Sequence, residues 1–74
     1  MEMYKDLGRD SGVHSFKVEA DSIRVKFKDG KGYIYSYGAT GRMHVEQMKL
    51  LAYQGRGLNS YINKNVRKAY QGRF

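Results

Sequence analysis

The sequence predicts an α+β domain: a three-stranded antiparallel β-sheet (β-β-β) followed by two amphipathic helices packed on one of its faces. Three observations carry that expectation. Apolar and basic residues alternate over "SIRVKFK", and tyrosines fall at every second position of "YIYSY", the period of a strand with one buried face. Asp29-Gly30 stands between these two runs, a composition that turns hairpins. From Thr40 onward the apolar spacing becomes helical, and "QGRG" interrupts it once, because two glycines are costly inside a helix.

Taken in order, "MEMYKDLGRDSG" has no sustained period and two glycines, so residues 1–10 read as a loosely ordered lead-in and 11–74 as a single domain. "VHSFKVE" follows as a first strand. The change of spacing between Val13 and Phe16 predicts a bulge or a bend. "EADS" turns the chain. The second strand then sets Ile23, Val25 and Phe27 on one face and Arg24, Lys26 and Lys28 on the other.

Loop length at Asp29-Gly30 decides where the tyrosines go. A two-residue loop pairs Lys26 with Tyr33 and puts the rings on the basic face. A three-residue loop, Lys28-Asp29-Gly30 with a left-handed Gly30, pairs Val25 with Tyr33 and Ile23 with Tyr35. The second register is favoured, because a third strand needs more apolar surface than Ile34 alone supplies, and tyrosine buries well with its hydroxyl at the edge. Tyr37, at the strand's end, stays open.

In "TGRMHVEQMKLLAY" the residues Met43, Val45, Met48, Leu50, Leu51 and Ala52 are expected to form one broad apolar arc, with Arg42, Glu46, Lys49 and Tyr53 opposite. "LNSYINKNVRKAY" restarts the helix, with Asn59 or Ser60 able to cap it. Leu58, Ile62, Val66 and Tyr70 recur every fourth residue, joined by Ala69, and Ser60, Lys64, Arg67, Lys68 and Gln71 lie on the outer arc.

The charge is unevenly distributed. Of fourteen Lys/Arg and seven Asp/Glu, residues 1–46 hold eight and seven; residues 47–74 hold six basic side chains (Lys49, Arg56, Lys64, Arg67, Lys68, Arg73) and no acid. Nearly all of the net +7 therefore belongs to the last third, which points to an anionic partner. A solvated face kept for solubility is the plainer reading of the same charges.

Catalytic chemistry finds no support. His14 and His44 have no helical histidine partner, and the chain contains no cysteine, so neither a disulfide nor a Cys-ligated zinc is possible and no metal or cofactor is expected. His44 is expected to be a structural histidine within the apolar arc. The acids form no evident pair for proton transfer. The glycines of "GRGLN" could offer backbone N–H groups to a phosphate, but helix breaks use glycine anyway. No apolar run is long enough for a membrane span, and no leader is evident, so a cytoplasmic protein is expected.

From about residue 11 to residue 70 the sequence resembles the KTSC domain, a small module at the C-terminus of some lysyl-tRNA synthetases that also occurs as free-standing bacterial proteins. "VKFKDGKGYIY" carries the family's Tyr-x-Tyr at Tyr33 and Tyr35, and "YINKNVRKAY" carries its aromatic-apolar-Asn opening at Tyr61, Ile62 and Asn63, its Val-Arg pair at Val66 and Arg67, and its closing Tyr70. The family's proline after the tyrosines is missing, and "YQGRGLN" is longer than the common form. The resemblance implies a family without established activity, for which its synthetase context suggests RNA binding. It also implies structural roles for Tyr33, Tyr35, Asn63 and Tyr70.

The expectation is therefore a non-catalytic nucleic-acid-binding module, with RNA (tRNA included) as partner. Contacts are expected from Lys64, Arg67, Lys68, Arg56 and Arg73 in the C-terminal third, from Arg24 and Lys26 on the second strand, and from Tyr61, which either stacks on a base or packs on the sheet. The rival is a protein-interaction module docking an acidic partner.

Overall fold

Alternation, turn chemistry and helical spacing build a mixed α+β fold in the computed structural model, which describes residues 1–9 and 11–74. The strands are β1 (Glu2–Met3), β2 (Val13–Glu19), β3 (Ser22–Phe27), β4 (Gly32–Ser36) and β5 (Gly72–Arg73). Between β4 and β5 run α1 (Tyr37–Thr40), α2 (Arg42–Gln54) and α3 (Leu58–Tyr61), the last continued by a π-helical turn over Ile62–Val66. All five strands join one antiparallel sheet in the order β1-β2-β3-β4-β5. The three strands and two helices read from the sequence are thus five and three.

The central strands follow their chemistry closely. Val13 faces Phe27 and Ser15 faces Lys26, so His14 is the extra residue of a bulge, and the shift of phase keeps both Val13 and Phe16 inward. At the β3–β4 hairpin the loop is Lys28-Asp29-Gly30: the Phe27 N–H donates to the Lys31 carbonyl, the Gly30 N–H donates back to Phe27, and Gly30 has φ 92°. A side chain would be strained there. Val25 therefore pairs with Tyr33, and Ile23 with Tyr35.

One sheet face, carrying Phe16, Ile23, Val25 and Tyr35, meets Val45, Met48 and Ala52 of α2 and Leu58, Ile62 and Val66 from the last helix in a single core. Six apolar residues of α2 do not share one arc. At 100° per residue Met43 and Leu50 project nearly opposite the line through Val45, Met48 and Ala52, and they are 87% and 56% exposed. Among the described residues no helix is long and apolar enough to cross a membrane.

The helices also start differently from expectation. Ser36 caps α1 by accepting from the Ala39 N–H, and Gly41, at φ 102°, separates α1 from α2. Gly55, in the left-handed region, ends α2, and Gly57 precedes α3 with no side-chain cap, so neither Asn59 nor Ser60 serves as one. The π-helical turn ends the helix at Val66, and Ala69 and Tyr70 follow outside it. Thr40 donates its hydroxyl to the Ala69 carbonyl, tying this return segment to α1.

The expected loose lead-in has structure among its described residues. Glu2 and Met3 pair with Phe16 and Ser15. Tyr4 is buried in the core, its hydroxyl accepting from the Leu58 N–H at 3.3 Å. A two-residue strand has too few positions to show a period, which is why neither β1 nor β5 was visible in the sequence.

Candidate nucleic-acid interface

The hairpin register places Tyr33 and Tyr35 on the helix side of β4, and the segment after the last helix brings Tyr70 against them. Ring centroids are 4.8 Å apart for Tyr33 and Tyr70, 6.5 Å for Tyr35 and Tyr70, and 5.7 Å for Phe27 and Tyr33. These tilted and edge-on contacts match how aromatic quadrupoles prefer to meet. Tyr35 is buried at 1% exposure, whereas Tyr33 and Tyr70 are half-buried. Burial, with a smaller contribution from the adjacent Tyr33 and Tyr70, pushes the Tyr35 phenol up to about 12.

These rings form one wall of an open groove of about 400 Å³ between the β3–β4 hairpin and the last helix. The facing wall comes from the helix: Asn59, Ile62 and Asn63, then Arg67 and Lys68 just beyond the π-helical turn. Lys31 and Asp29 stand at the hairpin end, Asp29 being the one acid among the lining residues. Its carboxylate already accepts from the Lys31 N–H at 3.0 Å. Tyr33, Tyr35, Ile62, Asn63, Arg67 and Tyr70, drawn from two stretches far apart in sequence, all line this groove.

Three cations are drawn into ion pairs. Arg24 pairs with Glu19 at 3.0 Å, Lys28 with Asp6 at 3.0 Å, and Lys49 with Glu46 at 2.9 Å. Each of these three carboxylates is held below its ordinary range, chiefly by side-chain hydrogen bonds: from Lys28 for Asp6, from Arg24 for Glu19, and from Tyr37 and then Lys49 for Glu46. By contrast Lys64, Arg67 and Lys68 are exposed and have no acid partner among the described residues. Their charge is uncompensated and faces solvent.

Arg67 and Lys68 border the groove, and Lys64 lies on the exposed side of the same π-helical turn. Arg73 lies opposite Tyr33 in the β4–β5 register, and so on the groove's side of the sheet. Tyr61 does not line the groove: its hydroxyl lies 2.7 Å from His44 Nδ1. Arg56 lines a separate cavity of about 270 Å³ with Tyr4, Asp6 and Ser11.

Arg24 and Lys26 lie on the far face of the sheet. Their cross-strand partners are Lys17 and Ile34 for Arg24, and Ser15 and Gly32 for Lys26, while the neighbouring Ile23 and Val25 are in the core. The Arg24 guanidinium also sits 5.7 Å from the centroid of Phe74. A single surface joining the last helix to the basic face of the second strand is therefore not formed, because alternation that buries one side of β3 must turn its cations away from the helices. Lys31 and Asn59 were missed as site residues. Lys31 sits in a turn and Asn59 was read as a cap, and neither position shows by periodicity that it borders a groove.

No family model matches the chain, and neither a curated protein nor a solved structure matches it.

Proposed function

We propose that this protein is a non-catalytic module that binds single-stranded or looped RNA, tRNA loops included, along the side of the molecule formed by the last helix and the β3–β4 hairpin. One observation carries the reading: Lys64, Arg67 and Lys68 present uncompensated charge beside half-buried tyrosine rings, whereas Arg24 of β3 and Lys49 of α2 are drawn into ion pairs. Cations beside accessible rings suit a ligand that alternates phosphates with planar bases. The likeness to the KTSC domain supports the same reading, since most of the residues that carry it (Tyr33, Tyr35, Ile62, Asn63, Arg67 and Tyr70) line the groove. A helix-side surface replaces the combined helix-and-strand surface of the sequence reading.

Titration of 15N-labelled protein with a single-stranded RNA, in parallel with an acidic peptide of equal charge, tests this. RNA is expected to shift the amides of residues 63–68 and 31–33 and to displace the peptide. Preference for the peptide would instead identify a protein-docking module.

A further inference from the structure

Three features of the groove go beyond attraction to phosphate. The Tyr35 ring is 1% exposed, and its hydroxyl meets no hydrogen-bond partner among the described residues. Yet no buried side-chain oxygen among them is sealed off without a partner, so this oxygen is not closed into the core, and Tyr35 is one of the residues that line the groove. Secondly, the side-chain amides of Asn59 and Asn63, on the facing wall, are likewise unpartnered among the described residues. Thirdly, Tyr33 and Tyr70 leave part of their rings open on the same side.

Polar groups at the floor of an aromatic-lined cleft are rarely left idle, because an unmet donor or acceptor away from bulk water is unfavourable. Here the groups are a buried phenol, which both donates and accepts, the half-buried Asn59 carboxamide, and the solvent-facing Asn63 carboxamide, each amide with a donor and an acceptor end. Such a set complements the edge of a planar heterocycle carrying adjacent donors and acceptors. The half-open rings complement its face. Arg67 and Lys68 stand at the mouth, where an attached phosphate would lie. A volume of about 400 Å³ falls within the range of small-ligand sites.

We propose that the groove is a pocket for one unpaired nucleobase, its edge read by the Tyr35 hydroxyl and the Asn63 and Asn59 amides, its face against Tyr33 and Tyr70, and its phosphate on Arg67 and Lys68. This rests on the RNA-binding reading and adds to it a contact that phosphate attraction does not provide. Base contacts give such a surface selectivity that phosphate contacts cannot. A phenol is protonated at neutral pH, and burial pushes that of Tyr35 higher still, so it is available as a donor.

The experiment compares a single-stranded RNA with an abasic ribose-phosphate chain of the same length and charge, measured by fluorescence anisotropy against the wild type, Tyr35→Phe and Asn63→Ala. Tyr35→Phe keeps the buried ring, and Asn63 is exposed, so both variants retain the fold, as circular dichroism will verify. The wild type is expected to prefer the base-bearing chain. Each variant should lose about threefold to tenfold in affinity for it, the worth of one hydrogen bond, and nothing for the abasic chain.

Equal affinity of the wild type for both chains would overturn the base pocket and leave phosphate-driven RNA binding standing. So would a preference for bases that survives both substitutions, since the base would then be read elsewhere. Binding of neither chain at moderate salt would overturn the pocket and the RNA reading together.

Discussion

The Tyr61 hydroxyl and His44 Nδ1 lie 2.7 Å apart, with the two rings edge to face at 5.8 Å. The contact joins α3 to the first turns of α2. It engages in structure both the histidine under the helix and the ring that the sequence offered for base stacking. Tyr61→Phe removes the bond while keeping the ring, and should cost about 1 kcal/mol in urea unfolding. Tyr61→Leu, which removes the ring itself, should leave RNA affinity within about twofold, whereas a stacking ring would be worth about 1–3 kcal/mol. A larger loss of binding would return Tyr61 to the interface.

Tyr35→Ala empties the centre of the ring cluster and is expected to cost about 3–5 kcal/mol, a large share of the stability of a domain this small. Tyr35→Phe should stay folded. Alkali provides a second check. Tyr35 has an ordinary value of 10.0, raised in the fold to about 12. Below pH 10 neither state is ionised at this ring and its stabilisation is complete. As pH rises from about 10 to about 12 the unfolded chain loses the proton first, so stability falls, by roughly 2–3 kcal/mol from this group. Urea midpoints measured across that window should fall more steeply for the wild type than for Tyr35→Phe.

Tyr4 fills the core from the first described segment and accepts from the backbone of Leu58. Tyr4→Ala should therefore destabilise by about 3 kcal/mol or more, and deletion of residues 1–4 by at least as much. A loosely ordered lead-in would predict no change in the thermal midpoint of either variant.

Replacing Lys64 and Lys68 with Gln removes two unpaired charges and keeps the length of the side chains. If both lysines meet phosphates, the slope of log K against log salt should shrink by about 1.4 on single-stranded RNA, at roughly 0.7 per contact. Lys5 and Lys17 are also exposed, and Lys17 lies on the far sheet face with Arg24, so changing those two controls for net charge. Equal losses in the two variants would mean diffuse attraction with no site.

What was legible in the sequence was what repeats over several residues or is forced by a turn. The Lys28-Asp29-Gly30 loop determined the register, and with it the inward course of Tyr33 and Tyr35. The broken phase between Val13 and Phe16 located the bulge at His14. Lys64, Arg67 and Lys68 are exposed as expected, although the helix ends at Val66 and leaves Arg67 and Lys68 just beyond it. Short and non-local features were not legible. β1 and β5 are two residues long, and their pairing is decided by the tertiary fold. The groove draws Lys31 and Asn59 from distant parts of the chain into one lining, which no local spacing encodes. The two basic surfaces were separable in principle, since the alternation that buried Ile23 and Val25 already turned Arg24 and Lys26 away from the helices.

The strands stand side by side in the order in which they occur along the chain. Two of the pairings, β2 with β3 and β3 with β4, close through turns at Ala20-Asp21 and Lys28-Asp29-Gly30, contacts of short range that cost little loop entropy and form early. The pairing of β4 with β5 brackets all three helices and must wait for them. Tyr70 reaches Tyr33 only on that return path, two residues ahead of β5. The groove is therefore completed among the last steps of folding, and a chain that has formed its hairpins but not docked its final segment lacks the Tyr70 wall of that groove.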